Sequence, residues 1–125
     1  MSFTSEEIER YKRHLVLHQV GGAGQQKLKR ASVLVIGAGG LGSAVLPYLA
    51  AAGVGRLGII DDDRVSLSNL QRQVIHDSNH VGELKTISAA RRIRGLNPHV
   101  TVDEIPERLS ADNALEIISR YDIVA

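Results

Sequence analysis

Hydrophobic positions along the chain switch between a helical and an extended period. Between Thr4 and His18, Ile8, Tyr11 and Leu15 recur at helical intervals among charged residues. Thr4 followed three residues later by Glu7 fits a reciprocal N-terminal cap, so the segment predicts an amphipathic helix. Gly21, Gly22 and Gly24 are expected to break it, and Gln25 to Arg30 to form a short further helix. Val33, Leu34, Val35 and Ile36 form a continuous apolar run rich in β-branched residues, the pattern of a buried strand. Leu41 to Ala52 then reads as an Ala-rich helix, bent locally at Pro47 and ended by Gly53 and Gly55. Arg56 to Ile60 is a second strand, parallel to the first because a helix connects the two.

Beyond Asp61 the pattern turns polar. Gly82 to Leu96 is helical by the spacing of Ile87, Ala90, Ile93 and Arg94, and Asn97-Pro98 stops it. Val100 to Ile105 alternates as a third strand. Ser110 is placed to cap a helix carrying Ala114, Leu115, Ile117 and Ile118, and Tyr121 to Ala125 begins a further strand. Such a strand has no room to pair and return, so residues 1–125 are expected to be one nucleotide-binding domain that is C-terminally incomplete.

The turn after the first strand carries the most chemistry. Gly37, Gly39 and Gly42 have the GxGxxG spacing, with Gly40 between them. A backbone without Cβ atoms lets a phosphate approach closely, and the following helix aims its free amides at the anion. Asp61 ends the second strand roughly 20 residues beyond Gly42, near the spacing of an acid that binds ribose hydroxyls. Glycine turns also occur where a helix merely packs tightly on a strand, but strand, helix and acid together point to nucleotide binding. The fold expected is α/β and Rossmann-like, a doubly wound, mainly parallel sheet with helices on both faces, preceded by an N-terminal helical segment.

Composition narrows the classes. A chain of 125 residues is about one domain. A net charge of +1 gives no basic excess for nucleic acid or anionic lipid, so neither nucleic-acid nor membrane partners are expected. Cysteine is absent, so these residues supply no disulfide, zinc thiolate or catalytic thiol. The N-terminus reaches Glu6, Glu7 and Glu9 without the apolar core of a signal peptide, which makes a cytoplasmic protein the expectation.

The polar stretch after Asp61 places Ser68, Asn69, Gln71, Arg72 and Lys85 beyond a strand end, where open α/β sheets bind ligands. Group transfer at a phosphate requires cations for the charge building on the α-phosphate and the departing pyrophosphate, and Arg72 and Lys85 are candidates. Asn69 can orient a phosphate oxygen or an attacking carboxylate. His76 and His80, four apart, are a weaker metal pair, since Asp77-Ser-Asn between them is turn-like and no third ligand is evident. His14, His18 and His99 read as surface or packing residues, and Arg10, Arg13 and His14 as a solvated helix face.

Gly37-Ala-Gly-Gly-Leu-Gly42, Ile59-Ile-Asp-Asp62 and above all Val65-Ser-Leu-Ser-Asn-Leu-Gln-Arg-Gln73 closely resemble the MoeB/ThiF/HesA family, bacterial relatives of ubiquitin-activating enzymes. The likeness extends to Arg10-Tyr-Lys-Arg13, Val81-Gly82 with Lys85, and Leu96-Asn-Pro-His99. It implies an ATP-dependent adenylyltransferase acting on the C-terminal glycine carboxylate of a small β-grasp sulfur-carrier protein with a Gly-Gly tail. A sulfurtransferase or cysteine desulfurase partner would then form the thiocarboxylate for molybdopterin- or thiamine-type cofactor synthesis. By motif position, Gly40 and Asp61 hold the nucleotide, and Ser68, Asn69, Leu70, Gln71 and Arg72 lie beside the triphosphate with Lys85. Arg13 matches an arginine that reaches across a two-fold interface, which implies a homodimer. The family's Mg2+-binding aspartate and its zinc cysteines fall beyond Ala125, so Asp122 is not promoted to metal ligand. Two rivals remain: an NAD- or FAD-binding oxidoreductase domain, which the β-α-β unit would fit equally, and a catalytically inactive module that binds ubiquitin-like proteins.

Overall fold

The computed structural model describes residues 2–125. The chain runs α1 (Ser5–Leu15), α2 (Gly21–Arg30), β1 (Ser32–Ile36), α3 (Gly40–Ala52), β2 (Arg56–Ile60), α4 (Lys85–Leu96), β3 (Thr101–Ile105), α5 (Ala114–Ile118) and β4 (Ile123–Val124). Two short 3-10 turns, Leu67–Asn69 and Ser78–His80, interrupt the polar stretch. The strands form a parallel sheet in the order β3-β2-β1-β4. β1 is therefore central, and the chain crosses from one side of it to the other after β3, creating a switch in strand order.

Alternation along the strands divides the core in two. Val33, Val35, Leu57 and Ile59 face one side with Leu46 and Ala50 of α3 and Ala89 and Ile93 of α4. Leu34, Ile60 and Ile105 face the other, with Ile117 of α5. Helices thus cover both faces, as the doubly wound expectation requires.

The N-terminal helix is fastened to this body by polar contacts. Thr4 Oγ1 accepts from the Glu7 amide at 3.1 Å while Glu7 Oε1 accepts from the Thr4 amide at 3.0 Å, the reciprocal cap expected from sequence. The buried Glu7 carboxylate also pairs with Lys29 at 2.9 Å. Asn97 Nδ2 donates to the buried Tyr11 hydroxyl at 2.7 Å and to the Ala50 carbonyl at 2.8 Å, so one amide ties α1 and α3 to the end of α4.

Several boundaries differ from expectation. α1 ends at Leu15 rather than His18, because the chain turns between Leu17 and Gly21, whose amide donates to the Leu17 carbonyl at 2.8 Å. Gly21, Gly22 and Gly24 do not interrupt helical structure but form the first turn of α2. Tertiary contacts override their poor propensity: Gln25 is fully buried, and its Nε2 donates to the Ala52 carbonyl at 2.8 Å. α3 runs through Pro47 from Gly40 to Ala52. α4 begins at Lys85 rather than Gly82, since Gly82 takes a left-handed φ of 90° and donates to the Val65 carbonyl. Ser110 does not cap α5; Asn113 Oδ1 instead accepts from the Ser110 amide at 2.8 Å. β4 does pair, lying parallel to β1 with Val33 opposite Ile123 and Leu34 opposite Val124, because the edge of β1 away from β2 is open to it.

Candidate nucleotide site

The C-terminal ends of the parallel strands converge on the glycine turn. Gly37 leaves β1 with φ 93°, a left-handed conformation that glycine adopts without strain, and its amide donates to the Ile60 carbonyl at 2.8 Å. Ala38, fully buried, donates its amide to Asp61 Oδ2 at 2.8 Å. Asp61 Oδ1 accepts from the Asp63 amide at 2.7 Å, so the acid is fixed at both oxygens, and each keeps a lone pair for a further donor.

Gly42 and Gly40 serve different purposes. A Cβ on Gly42 would lie 1.9 Å from the Gly37 carbonyl oxygen, so this glycine lets α3 press against the turn. A Cβ on Gly40 would meet nothing within 4 Å; the first turn of α3 is bare backbone on its open side, and its N-cap, Gly39, supplies no side-chain bond. That is the form of a helix N-terminus able to receive an anion. Beside it a cleft of about 360 Å3 is lined by Ile36, Gly37, Asp61, Asp62, Glu107 and Arg108 among others.

Lys85 is delivered to the same edge. The hairpin-like pairing of Arg64 with Leu84 brings the start of α4 beside the end of β2, and the Lys85 amide donates to the Asp63 carbonyl at 3.0 Å. Its ammonium is buried, 3.6 Å from Asp63 Oδ2. The segment that follows the Leu67–Asn69 turn lies against the glycine turn through Gln73, buried with Nε2 3.5 Å from where a Cβ of Gly39 would stand. Arg72, next in chain, is exposed, with Nη1 3.5 Å from the Ser68 carbonyl, at the limit of hydrogen bonding. Asn69 Oδ1 accepts from Ser66 Oγ at 2.8 Å, which leaves Nδ2 as the donor. Ser68 and Gln71 are exposed and Leu70 half-buried along the same turn. Arg13 stands apart on α1, exposed and without a partner among the described residues.

The histidine metal pair does not form. His76 is buried with Nδ1 2.7 Å from Ser88 Oγ and Nε2 2.8 Å from the Ala38 carbonyl, so both ring nitrogens are engaged. His80 instead pairs with Asp77 at 2.7 Å. Burial pushes the His76 imidazole below its usual range; the Ala38 carbonyl opposes this and the nearby Lys85 charge adds to it. Among the described residues no group of three or more His, Asp or Glu side chains could hold a metal ion.

A family model described as "ThiF family" matches residues 11–125. The chain belongs to the ThiF family. Over 124 residues it is 55% identical to a sulfur carrier protein adenylyltransferase of Thermus thermophilus, covering 99% of this chain and 46% of that protein. It is 53% identical over 120 residues to the adenylyltransferase and sulfurtransferase UBA4 of Saccharomyces cerevisiae, covering 95% of this chain and 27% of that one. The fold superimposes with a TM-score of 0.92 at 30% identity on the ATP complex of E. coli tRNA N6-threonylcarbamoyladenosine dehydratase, TcdA, covering 99% and 51% of the two chains. The ThiF-family chain therefore spans about half, or less, of the proteins it matches.

Three features of this ThiF-family site have no counterpart in the motif reading: Asp63 beside Lys85, Gln73 against Gly39, and His76 on Ala38. Gln73 ends the quoted motif and His76 follows three residues later, but spacing alone gives no sign that either is buried. Their signal is burial of a polar side chain beside a glycine turn, which only the packed chain displays.

Proposed function

We propose that this chain is the nucleotide-binding half of an ATP-dependent adenylyltransferase that activates the C-terminal glycine carboxylate of a small β-grasp sulfur-carrier protein. The observation that carries the reading is the buried Lys85, fixed beside Asp63 at the strand edge where the bare glycine turn opens. Hydride transfer expels no pyrophosphate, whereas adenylation does, and the charge building on that leaving group needs a cation.

In this proposal the glycine turn and the α3 N-terminus receive the phosphates, Asp61 the ribose, and the Ile36–Arg108 cleft the base. Asn69 Nδ2 donates to a phosphate oxygen, and Arg72 swings from its exposed position onto the triphosphate beside Lys85. A carboxylate oxygen of the carrier attacks the α-phosphorus, the α–β bridging P–O bond breaks, and pyrophosphate leaves with its bonding pair; no proton need move. The glycines, Lys85 and Arg72 stabilise charge that grows during this exchange. Arg13 reaches the site of a second copy in a homodimer. Mg2+ accompanies the triphosphate through residues outside this set. The acyl-adenylate passes to a sulfurtransferase step for molybdopterin- or thiamine-type synthesis in the cytoplasm, consistent with the paired activities in the name of the yeast relative.

ATP–pyrophosphate exchange, measured with the longest form of the gene product and a carrier ending in Gly-Gly, tests this directly. Exchange that depends on the carrier supports the proposal. Tight NAD binding without ATP binding removes it.

A further inference from the structure

Ala38 is held at both ends of its residue: Asp61 takes its amide and His76 its carbonyl, each at 2.8 Å. A carbonyl oxygen only accepts, so His76 Nε2 carries the proton, and the neutral imidazole takes the Ser88 hydroxyl at Nδ1, 2.7 Å away. Ser88 lies one turn after Lys85 on α4. The imidazole is therefore a strut between the glycine turn and the helix that carries the site's buried cation.

Planarity gives the strut a direction. The peptide joining Ala38 to Gly39 is trans, so its carbonyl and the Gly39 N–H lie in one plane and point in opposite directions. Because His76, inside the fold, pulls the carbonyl inward, the Gly39 N–H faces outward at the mouth of the α3 N-terminus. We propose that His76 is a positioning residue that aims the Gly39 amide at the nucleotide's phosphates and sets their distance from Lys85. The inference rests on the ATP-binding reading above. His76 itself touches no substrate; it acts through Ala38 and Ser88.

The expected consequence is a loss confined to the phosphates. In His76→Leu, the dissociation constant for ATP rises about tenfold while that for adenosine stays within about twofold, as expected when one charge-assisted amide contact is lost. His76→Gln places a donor where Nε2 stands and restores the ATP affinity to within about threefold of wild type. Loss of packing alone would weaken both ligands together, and glutamine would not rescue it. A second measurement needs no variant: nitrogen-15 NMR of the wild-type protein should show His76 as the Nε2–H tautomer. An Nδ1–H tautomer, or an unchanged ratio of ATP to adenosine affinity in a folded His76→Leu protein that binds ATP, overturns this inference alone. A wild-type protein that binds neither ligand overturns it together with the proposed function.

Discussion

Asp61 grips Ala38: the carboxylate that closes β2 accepts the amide of the turn that follows β1, at 2.8 Å. The acid therefore shapes the glycine turn itself, and under the proposed function that turn is the phosphate cradle. Asp61→Asn keeps the size but replaces one of two acceptors with a donor, leaving either the Ala38 or the Asp63 amide facing N–H. Loss of a charged hydrogen bond of this kind costs about 1.5–3 kcal/mol, so the urea midpoint should fall, and ATP affinity should weaken about tenfold or more in calorimetry. Unchanged values on both counts would remove Asp61 from the cradle.

Gly42 and Gly40 separate packing from binding. In Gly42→Ala the methyl group meets the Gly37 carbonyl at 1.9 Å, a backbone atom that cannot step aside, so α3 must shift and stability should fall by about 1–3 kcal/mol. In Gly40→Ala the methyl group enters open space, and alanine favours a helix by about 1 kcal/mol over glycine. Thermal unfolding of Gly40→Ala should match or exceed wild type while ATP binding weakens, because under the proposed function the methyl group stands where a phosphate would approach.

The sheet was legible because its signals are local. Arg56–Ile60 is bounded by Gly55 and Asp61, and the Thr4 and Glu7 cap is a four-residue pattern, so each can be read without knowing what packs against it. The α2 glycines and the start of α4 could not be read that way. Gln25 reaching Ala52, and Gly82 reaching Val65, are contacts between distant segments that decide local structure from outside it. The site divides similarly. Gly37, Gly42 and Asp61 declare themselves by spacing, and Lys85 by its motif, whereas the place of His76 depends on burial beside Ala38 that no periodicity encodes.

Tyr121 lies across Gly58, where a Cβ would meet its hydroxyl, and donates to Asp103 Oδ2 at 2.7 Å, an oxygen that Arg56 Nε also reaches at 2.7 Å. Burial, together with the hydrogen bond to Asp103, pushes its phenol up to about 12. A raised folded-state value means that the stabilisation is fully present below the unfolded tyrosine value of about 10 and is lost as pH rises towards the folded one. Melting temperature should therefore fall between pH 10 and about 12, and Tyr121→Phe should reduce that slope. The same slope in the variant would assign the alkaline loss to other groups.

Arg72 and Lys85 differ in how they are held, and the difference sets the size of their effects. Lys85 is buried and fixed beside Asp63, whereas Arg72 is exposed and must move to reach a nucleotide. Removal of one preorganised charge from a transition state costs about 10²–10³ in rate, so Lys85→Ala should lose that much ATP–pyrophosphate exchange in the complete enzyme. Arg72→Ala should lose more than about tenfold, part of the cation's benefit being spent on ordering its side chain. Exchange unaffected by Arg72→Ala would strike Arg72 from the site.

Arg13 tests whether the site is shared between two copies. It is exposed on α1 and has no partner among the described residues, so within one chain its charge has no assigned task. If it reaches a neighbouring site across a two-fold axis, Arg13→Ala and Lys85→Ala homodimers each carry two defective sites, but a mixed dimer carries one site with both defects and one with neither. Random reassortment makes about half of the dimers mixed, so the mixture should recover about a quarter of the wild-type exchange rate, although neither parent has substantial activity alone. If Arg13 instead serves its own chain, every site in the mixture lacks one cation or the other, and verified heterodimers would show no recovery.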